Sequence, residues 1–197
     1  MIVFQYQPGQ TPIDPDEKEG LIPTHLESMA DLNAWEQHNI VQAAIWGDRA
    51  CRRREVLDEG FVRQLHKRML DQTWAWAGIF RKSDKSIGVP WEQIAVRLSQ
   101  LLENTKWQRD NKTLSVDELA VDFHFKLVSV HPFPNGNGRH SRMMADLLAM
   151  SLGRDPFTWG AQADLTKAGE SRARYLQGIY DARDTGKVDS LLEFARS

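Results

Sequence analysis

The chain has a single cysteine, Cys51, among its 197 residues. One thiol excludes an internal disulfide and a cysteine-rich zinc site, and it is typical of a protein from a reducing compartment. The sequence also lacks a long apolar run and a hydrophobic signal segment, so nothing in it indicates a membrane span. These absences predict a cytoplasmic protein that does not associate with a membrane.

An excess of charge of one sign is absent as well. The 25 lysines and arginines nearly balance the 27 aspartates and glutamates, which leaves a formal net charge of -2. Without a global basic surface, nucleic acid is not an expected partner. Hydrophobic residues make up 41% of the chain, and this content together with the length predicts one globular domain.

The remaining patterns predict an all-α fold with three segments. Prolines and an acidic run indicate an irregular N-terminal arm over residues 1–22. The spacing of apolar residues predicts an N-terminal helix within residues 23–50, which opens with a capping box from Thr24 to Glu27. The main helical domain is predicted over residues 51–197. Between two of its helices, the short polar segment 79–90 suits a hairpin or an exposed loop.

Two further signals bound the central helices. Ser115 and Glu118 form a second capping box, and the helix that follows should stop at His131, because Pro132 disfavours the α conformation for the residue before it. The next helix should begin near Gly138 and end at Gly153, which is a plausible left-handed cap.

The segment from His131 to Arg142 joins those two helices and reads His-Pro-Phe-Pro-Asn-Gly-Asn-Gly-Arg-His-Ser-Arg. His131 can move a proton near neutral pH. A helix that begins at Gly138 points its unpaired N–H groups and positive dipole end into the preceding loop, where anions bind readily. Arg139 and Arg142 share one helix face and can both reach a phosphate there. The segment therefore predicts phosphate chemistry on a protein hydroxyl.

Other readings of the segment fit less well. No Gly-Lys-Ser/Thr follows, as a Walker loop requires, and a helix rather than a strand precedes the glycines, which excludes the Rossmann fingerprint. His124 and His131 lie two helical turns apart, too far to share a metal ion without other ligands.

The same string resembles the Fic family signature, His-Pro-Phe-x-(Asp/Glu)-Gly-Asn-Gly-Arg-x-x-Arg, and differs from it at one fixed position, Asn135. The segment around Trp76 to Arg81 resembles the entry to the family's substrate-binding flap, and residues 175–194 resemble its last helices. The proline-rich start followed by a helix is most similar to the Fic proteins called mobile mystery protein B.

This resemblance implies a Fic-type helical bundle with a short β-hairpin flap at 79–90, and a catalytic domain over residues 51–197. It implies transfer of AMP from ATP, with magnesium, to a Ser, Thr or Tyr hydroxyl of a target protein. His131 would be the base, and Phe133 would anchor the loop. The phosphates would be held by an anion hole and two arginines: Gly136, Asn137, Gly138, Arg139 and, for the terminal phosphate, Arg142. The flap would align a target segment by strand addition.

Two positions bear on activity. Asn135 replaces the acid that usually binds magnesium, and its neutral amide oxygen should bind the ion more weakly. Glu36 interrupts the apolar face that Leu32 and Ile40 form, so it is either an edge residue with its carboxylate in water or an inhibitory glutamate. The resemblance implies that an inhibitory Glu36 would pair with Arg142. The residues that flank it, Leu32 and Gln37, depart from the family pattern Ser/Thr-x-x-x-Glu-Gly/Asn.

Alternatives to this activity stay open. Another phosphate donor could be used, or AMP could be removed rather than added. A non-catalytic reading makes the chain a nucleotide- or partner-binding, toxin-like module paired with a small regulator protein. Binding alone needs no proton acceptor, so His131 favours catalysis. The sequence does not decide whether the chain forms a homo-oligomer.

Overall fold

The computed structural model describes residues 12–160, 165 and 169–197. Within this part of the chain the fold is almost entirely helical, which confirms the all-α prediction. A 3-10 turn at Trp91–Gln93 precedes the fourth helix. The α-helices are α1 (Pro15–Lys18), α2 (Met29–Cys51), α3 (Glu59–Leu70), α4 (Ile94–Asp110), α5 (Val116–Val130), α6 (Asn137–Ser151), α7 (Glu170–Thr185) and α8 (Asp189–Arg196).

Helix α2 begins later than its sequence suggested. The capping box is formed by Ser28 and Asp31: the Ser28 hydroxyl accepts from the Asp31 N–H at 3.1 Å, and the Asp31 carboxylate accepts from the Ser28 N–H at 2.9 Å. The prediction of a box from Thr24 to Glu27 was therefore wrong. Both tetrapeptides offer a hydroxyl and an acid at the required spacing, and the structure uses the second.

The central helices follow their local signals. Ser115 and Glu118 form the predicted capping box of α5, and α5 ends at Val130. His131 leaves the helix in the left-handed conformation, with φ of 54°. Helix α6 begins after Gly136, which is also left-handed with φ of 78°, and the chain turns away from α6 at Gly153, with φ of 79°.

The core lies where α5 packs on α6 and where α2 crosses α3 and α6. Each large apolar side chain buried there contributes about 1.5–3 kcal/mol. These helices fix the short connection between α5 and α6 from both sides. The largest fully buried side chains include Phe61, Leu65, Trp74, Phe123, Leu127, Phe133 and Met144.

Residues 79–90, here called the flap, form a loop in which no strand is assigned. The hairpin expected within the fold is thus replaced by bends. The buried side chain of Arg81 accounts for this, because it donates to the carbonyls of Ser83 and Val89 and so joins the two ends of the flap. In the described residues, the isolated β-bridge found joins Leu21 to Trp74.

The N-terminal arm is more ordered than predicted over its described portion. Residues 15–18 form one helical turn, and the following backbone pairs with the segment before the flap through Ile22 N–H to the Thr73 carbonyl at 2.9 Å. Among the described residues, no helix has both the length and the apolar character that crossing a bilayer requires.

Candidate active site

His131 lies at the end of α5 with only 4% of its surface exposed. Burial lowers the pKa of its imidazole to about 4, the hydrogen bond to the Val128 carbonyl opposes this, and the charges of Arg81 and Lys85 lower it further. The ring is therefore neutral at physiological pH. Nδ1 lies 3.4 Å from the Val128 carbonyl oxygen. A carbonyl can only accept, so this contact favours the tautomer that carries its hydrogen on Nδ1 and has Nε2 as the basic nitrogen.

The backbone of the connection is fixed by Gly136 and Asn137. A Cβ atom at Gly136 would lie 2.8 Å from Leu70 Cδ1, and the positive φ also favours glycine. The Asn137 side chain accepts from the Phe133 N–H at 2.9 Å and donates to the Phe133 carbonyl at 2.7 Å. Because these bonds occupy its amide, Asn137 supports the loop with its side chain. Its backbone N–H belongs to the first turn of α6, where N–H groups have no partner within the helix.

The start of α6 has the features of an anion site. The first N–H groups of a helix have no partner within the helix, and they carry the positive end of its dipole. Among the described residues, an added Cβ at Gly138 would meet Arg142 Nη1 at 3.7 Å and nothing closer, so there is room beside Gly138 in the first turn. Arg139 and Arg142 are both half-buried on this helix.

Glu36 is buried, and it pairs with Arg139. Its carboxylate accepts from Arg139 Nη1 at 2.6 Å and from Trp74 Nε1 at 2.7 Å, and only 5% of the residue is exposed. The interpretation as an edge residue in water is therefore wrong. The expected pairing with Arg142 is also wrong, because α2 brings Glu36 to the first turn of α6, whereas Arg142 lies one turn further on.

Arg142 lies against an aromatic partner instead. Its guanidinium carbon is 5.2 Å from the centre of the Tyr175 ring. Burial raises the pKa of the Tyr175 hydroxyl, and the Arg142 charge opposes that shift. The hydroxyl lies 3.2 Å from His124 Nε2, and burial followed by the Arg142 charge lowers the pKa of His124 to about 3. Arg142 thus packs against a buried cluster that consists of the Tyr175 ring and the His124 imidazole.

The donor atoms near Asn135 do not form a ready magnesium site. The Asn135 side-chain oxygen accepts from the Gly136 N–H at 2.7 Å. Among the described residues, no three His, Cys, Asp or Glu side chains converge on a possible metal position. One neutral oxygen that already accepts a hydrogen bond is a poor match for a dication that prefers carboxylates and phosphates.

His66 supports the loop, although no motif in the chain includes it. Its Nδ1 accepts from the Gly78 N–H at 2.9 Å, so Nε2 carries the hydrogen and donates to the Asn135 carbonyl at 3.0 Å. The ring stacks on Phe133 with 3.7 Å between centroids. Burial lowers the pKa of His66 well below its usual value. The available signal was a histidine on the apolar face of α3, beside Val62 and Met69.

Arg81 is the second residue that sequence analysis did not assign. It is 2% exposed, and its Nε donates to the His131 carbonyl at 2.7 Å. Backbone bonds from Arg81 to Pro132, at 3.0 Å, and from Val89 to Val130, at 3.3 Å, hold the flap to the same segment. The flap and the candidate base are thereby fixed to each other.

Comparison with known proteins finds sequence relatives for the part of the chain that contains the loop. Residues 56–149 match the model of the Fic/DOC family. The protein adenylyltransferase fic-1 of Caenorhabditis elegans is 43% identical over 87 residues, which are 43% of this chain and 16% of that protein. A probable protein adenylyltransferase of Aquifex aeolicus is 25% identical over 140 residues, which are 66% of this chain and 38% of that protein. The chain thus spans well under half the length of these relatives.

Solved structures support the fold. The BepC protein of Bartonella tribocorum, a VirB-translocated effector whose crystal structure has AMPPNP bound, superposes with a TM-score of 0.65 at 19% identity. The match covers 93% of this chain and 97% of that one.

Proposed function

We propose that this chain, whose residues 56–149 match the model of the Fic/DOC family, transfers AMP from ATP to a Ser, Thr or Tyr hydroxyl of a target protein. The observation that carries the proposal is a neutral His131 fixed beside the N-terminus of α6. A proton acceptor next to an anion site is what phosphoryl-group chemistry on a hydroxyl requires. The relatives named protein adenylyltransferase support the same activity.

In the proposed reaction, His131 Nε2 takes the proton of the target hydroxyl. The hydroxyl oxygen forms a bond to the α-phosphorus of ATP, and the bond from that phosphorus to the bridging oxygen breaks. Pyrophosphate leaves with the bonding electron pair, and AMP stays on the target. The N–H groups of Asn137, Gly138 and Arg139 would hold the phosphates, and positive charge there would stabilise the developing negative charge.

We further propose that α2, within the 23–50 segment, inhibits this reaction in the resting protein. Glu36 forms an ion pair with the Arg139 guanidinium, which would otherwise bind the phosphates, and the pair is mostly shielded from water. A nucleotide that engages Arg139 must first displace the carboxylate. Arg142 would then receive the terminal phosphate, although its contact in the structure is with Tyr175.

Magnesium would arrive bound to the nucleotide phosphates in this proposal. The assignment of Asn135 as its protein ligand stays a prediction of the motif, and the neutral amide oxygen that already accepts from the Gly136 N–H argues against it. A target protein is the expected partner. A small regulator, a homo-oligomer, the cytoplasmic location and the mobile mystery protein B subgroup stay predictions.

The test is the intact mass of wild type, His131→Ala, Glu36→Gly and the double variant Glu36→Gly with His131→Ala, after incubation with ATP and magnesium. We expect added AMP on Glu36→Gly, little on wild type and none on Glu36→Gly combined with His131→Ala. A different added mass would identify another donor. No added mass on any variant, including Asn135→Asp and with target-containing lysate present, would contradict the proposal and favour the non-catalytic binding module.

A further inference from the structure

The flap tip is held by two carboxylates from the N-terminal segment. Lys85 Nζ lies 2.6 Å from Asp14 Oδ2 and 2.6 Å from Glu17 Oε2, and the Lys85 side chain is 3% exposed. The Ser83 hydroxyl donates to the same Asp14 oxygen at 2.8 Å. We call Asp14, Glu17 and Lys85 the acidic clamp. Its hydrogen bond to Lys85 is the largest cause of the lowered pKa of Asp14.

The carboxylates of the acidic clamp are themselves fixed in place. Asp14 caps α1, and its N–H donates to Glu17 Oε2 at 2.9 Å. Trp76 Nε1 donates to the Glu17 carbonyl at 2.9 Å, and the Ala75 N–H donates to the Gly20 carbonyl at 2.8 Å. The acidic turn is therefore anchored to the chain that leads into the flap, and it can act as a fixed support for the flap tip.

The other side of the flap lies directly on the candidate base. A Cβ atom at Gly88, where φ is 113°, would be 2.8 Å from His131 Cβ and 2.7 Å from Arg81 Nη2. Such close approach leaves no room for the flap backbone to shift toward the base. A change in the position of the flap tip must then alter the surface that a target segment meets beside His131.

This arrangement differs from an ordinary surface ion pair. Exposed pairs contribute little, because water and salt screen them. Here the Lys85 side chain is 3% exposed and meets two carboxylates, of which Glu17 is 13% exposed and Asp14 is 40% exposed. Removing a carboxylate therefore leaves a buried ammonium group with less compensation than before. The contact mainly stabilises the position of the flap, because the acidic turn is already held by hydrogen bonds from Trp76 and Ala75.

We infer that Asp14 and Glu17 are positioning residues that act through Lys85: the acidic clamp sets the flap against His131 and so governs capture of the target segment, while nucleotide binding proceeds without it. This inference rests on the proposed function, since capture has meaning only where a target hydroxyl is modified. It assigns the N-terminal segment a role separate from that of Glu36, because the acidic clamp contacts the flap at Lys85 whereas Glu36 contacts Arg139 on α6.

The test compares Lys85→Met and Glu17→Gln with Lys106→Met, all in the Glu36→Gly background. Lys106 is the control because it forms an ordinary surface ion pair outside the flap, with Glu103 at 2.8 Å on α4, where its side chain is 31% exposed. The first measurement is amide hydrogen exchange. We expect Lys85→Met to speed exchange in residues 82–88 by about tenfold or more, with α5 and α6 unchanged, since a tenfold change corresponds to about 1.4 kcal/mol.

The second measurement is AMP transfer to a mixture of extended 12-residue peptides, each with one threonine, followed by mass, together with ATP affinity by titration. We expect a KM for peptide raised about tenfold in Lys85→Met, while kcat and ATP affinity stay at control values. Lys85→Arg should restore the KM, because a guanidinium can meet both carboxylates. If Lys85 had only a structural role, Lys85→Met would lower the thermal stability without raising the KM for peptide selectively over kcat and ATP affinity.

Two outcomes overturn the inference in different ways. Flap exchange and peptide KM equal to those of Lys106→Met, with AMP transfer intact, would refute the acidic clamp alone. Faster flap exchange without AMP on any protein or peptide would refute the proposed function and the capture role with it. Circular dichroism of each variant identifies a folding failure. If Lys85→Met fails to fold, Glu17→Gln is compared with Lys106→Met instead, because glutamine keeps a hydrogen-bond acceptor for Lys85.

Discussion

Replacing Glu36 by glutamine should weaken the fold and strengthen nucleotide binding at the same time. The Glu36 carboxylate accepts from Arg139 at 2.6 Å and from Trp74 at 2.7 Å. Glutamine keeps an oxygen for the Trp74 N–H but removes the negative charge beside Arg139. The same change therefore removes a stabilising ion pair and frees a cation for phosphate.

The magnitudes follow from burial. Breaking a fully buried pair costs about 3–5 kcal/mol, but the Arg139 side chain is 23% exposed and can turn partly toward water. We therefore expect Glu36→Gln to lower the free energy of unfolding by about 1–3 kcal/mol. ATP no longer has to displace a carboxylate, so its affinity should rise by about 10- to 100-fold, which is about 1.4–2.8 kcal/mol.

Calorimetric titration and thermal melting measure the two effects. The variant should melt below wild type without ATP, and saturating ATP should raise its melting temperature by more, because stabilisation grows with the ratio of ligand concentration to Kd. Asp122→Asn is the matched control, since Asp122 is a 9% exposed carboxylate that pairs with Lys126 at 2.6 Å on α5. If Glu36→Gln binds ATP no more tightly than this control does, the proposed inhibition is refuted.

Two more predictions concern the loop and the buried histidines. Asn137→Ala should lower the free energy of unfolding by about 2–4 kcal/mol, because it leaves both buried backbone groups of Phe133 without this partner; chemical denaturation that gives a wild-type midpoint would contradict this. Burial lowers the pKa of His124, His131 and His140 to about 3, 4 and 4. Below about pH 6.5 these histidines are therefore protonated in the unfolded chain while they are still neutral in the folded chain. Stability should therefore fall as pH is lowered from about 6.5 toward 4, against the opposite contribution of Asp146, whose pKa is raised to about 6 by burial. A melting temperature that rises over this window would contradict the burial of the three rings.

Local rules predicted much of the helical architecture. The capping box at Ser115 and the left-handed Gly153 depend on a few consecutive residues, and both are found as predicted. The start of α2 was misplaced because two neighbouring tetrapeptides satisfy the same rule. Local patterns can propose such boundaries, but packing of the helix chooses between them.

The contacts that define the site depend on distant parts of the chain. Glu36 and Arg139 are 103 positions apart, and only the crossing of α2 over α6 shows which arginine the carboxylate meets. His66 reaches Asn135 across 69 positions, so its role could not be seen from the motif. The flap lacks its expected strand pairing because the Arg81 side chain replaces ladder bonds with its own.

The pairing of Glu36 with Arg139 joins two groups of one chain, and this sets how the contact responds to dilution. An intramolecular contact has an effective concentration fixed by the fold, whereas a separate regulator dissociates as both proteins become scarce. Restraint by α2 would therefore be equally strong in a cell with few copies of the protein and in one with many. Its release would depend on nucleotide level or on a movement of α2, because the carboxylate and the guanidinium belong to the same chain.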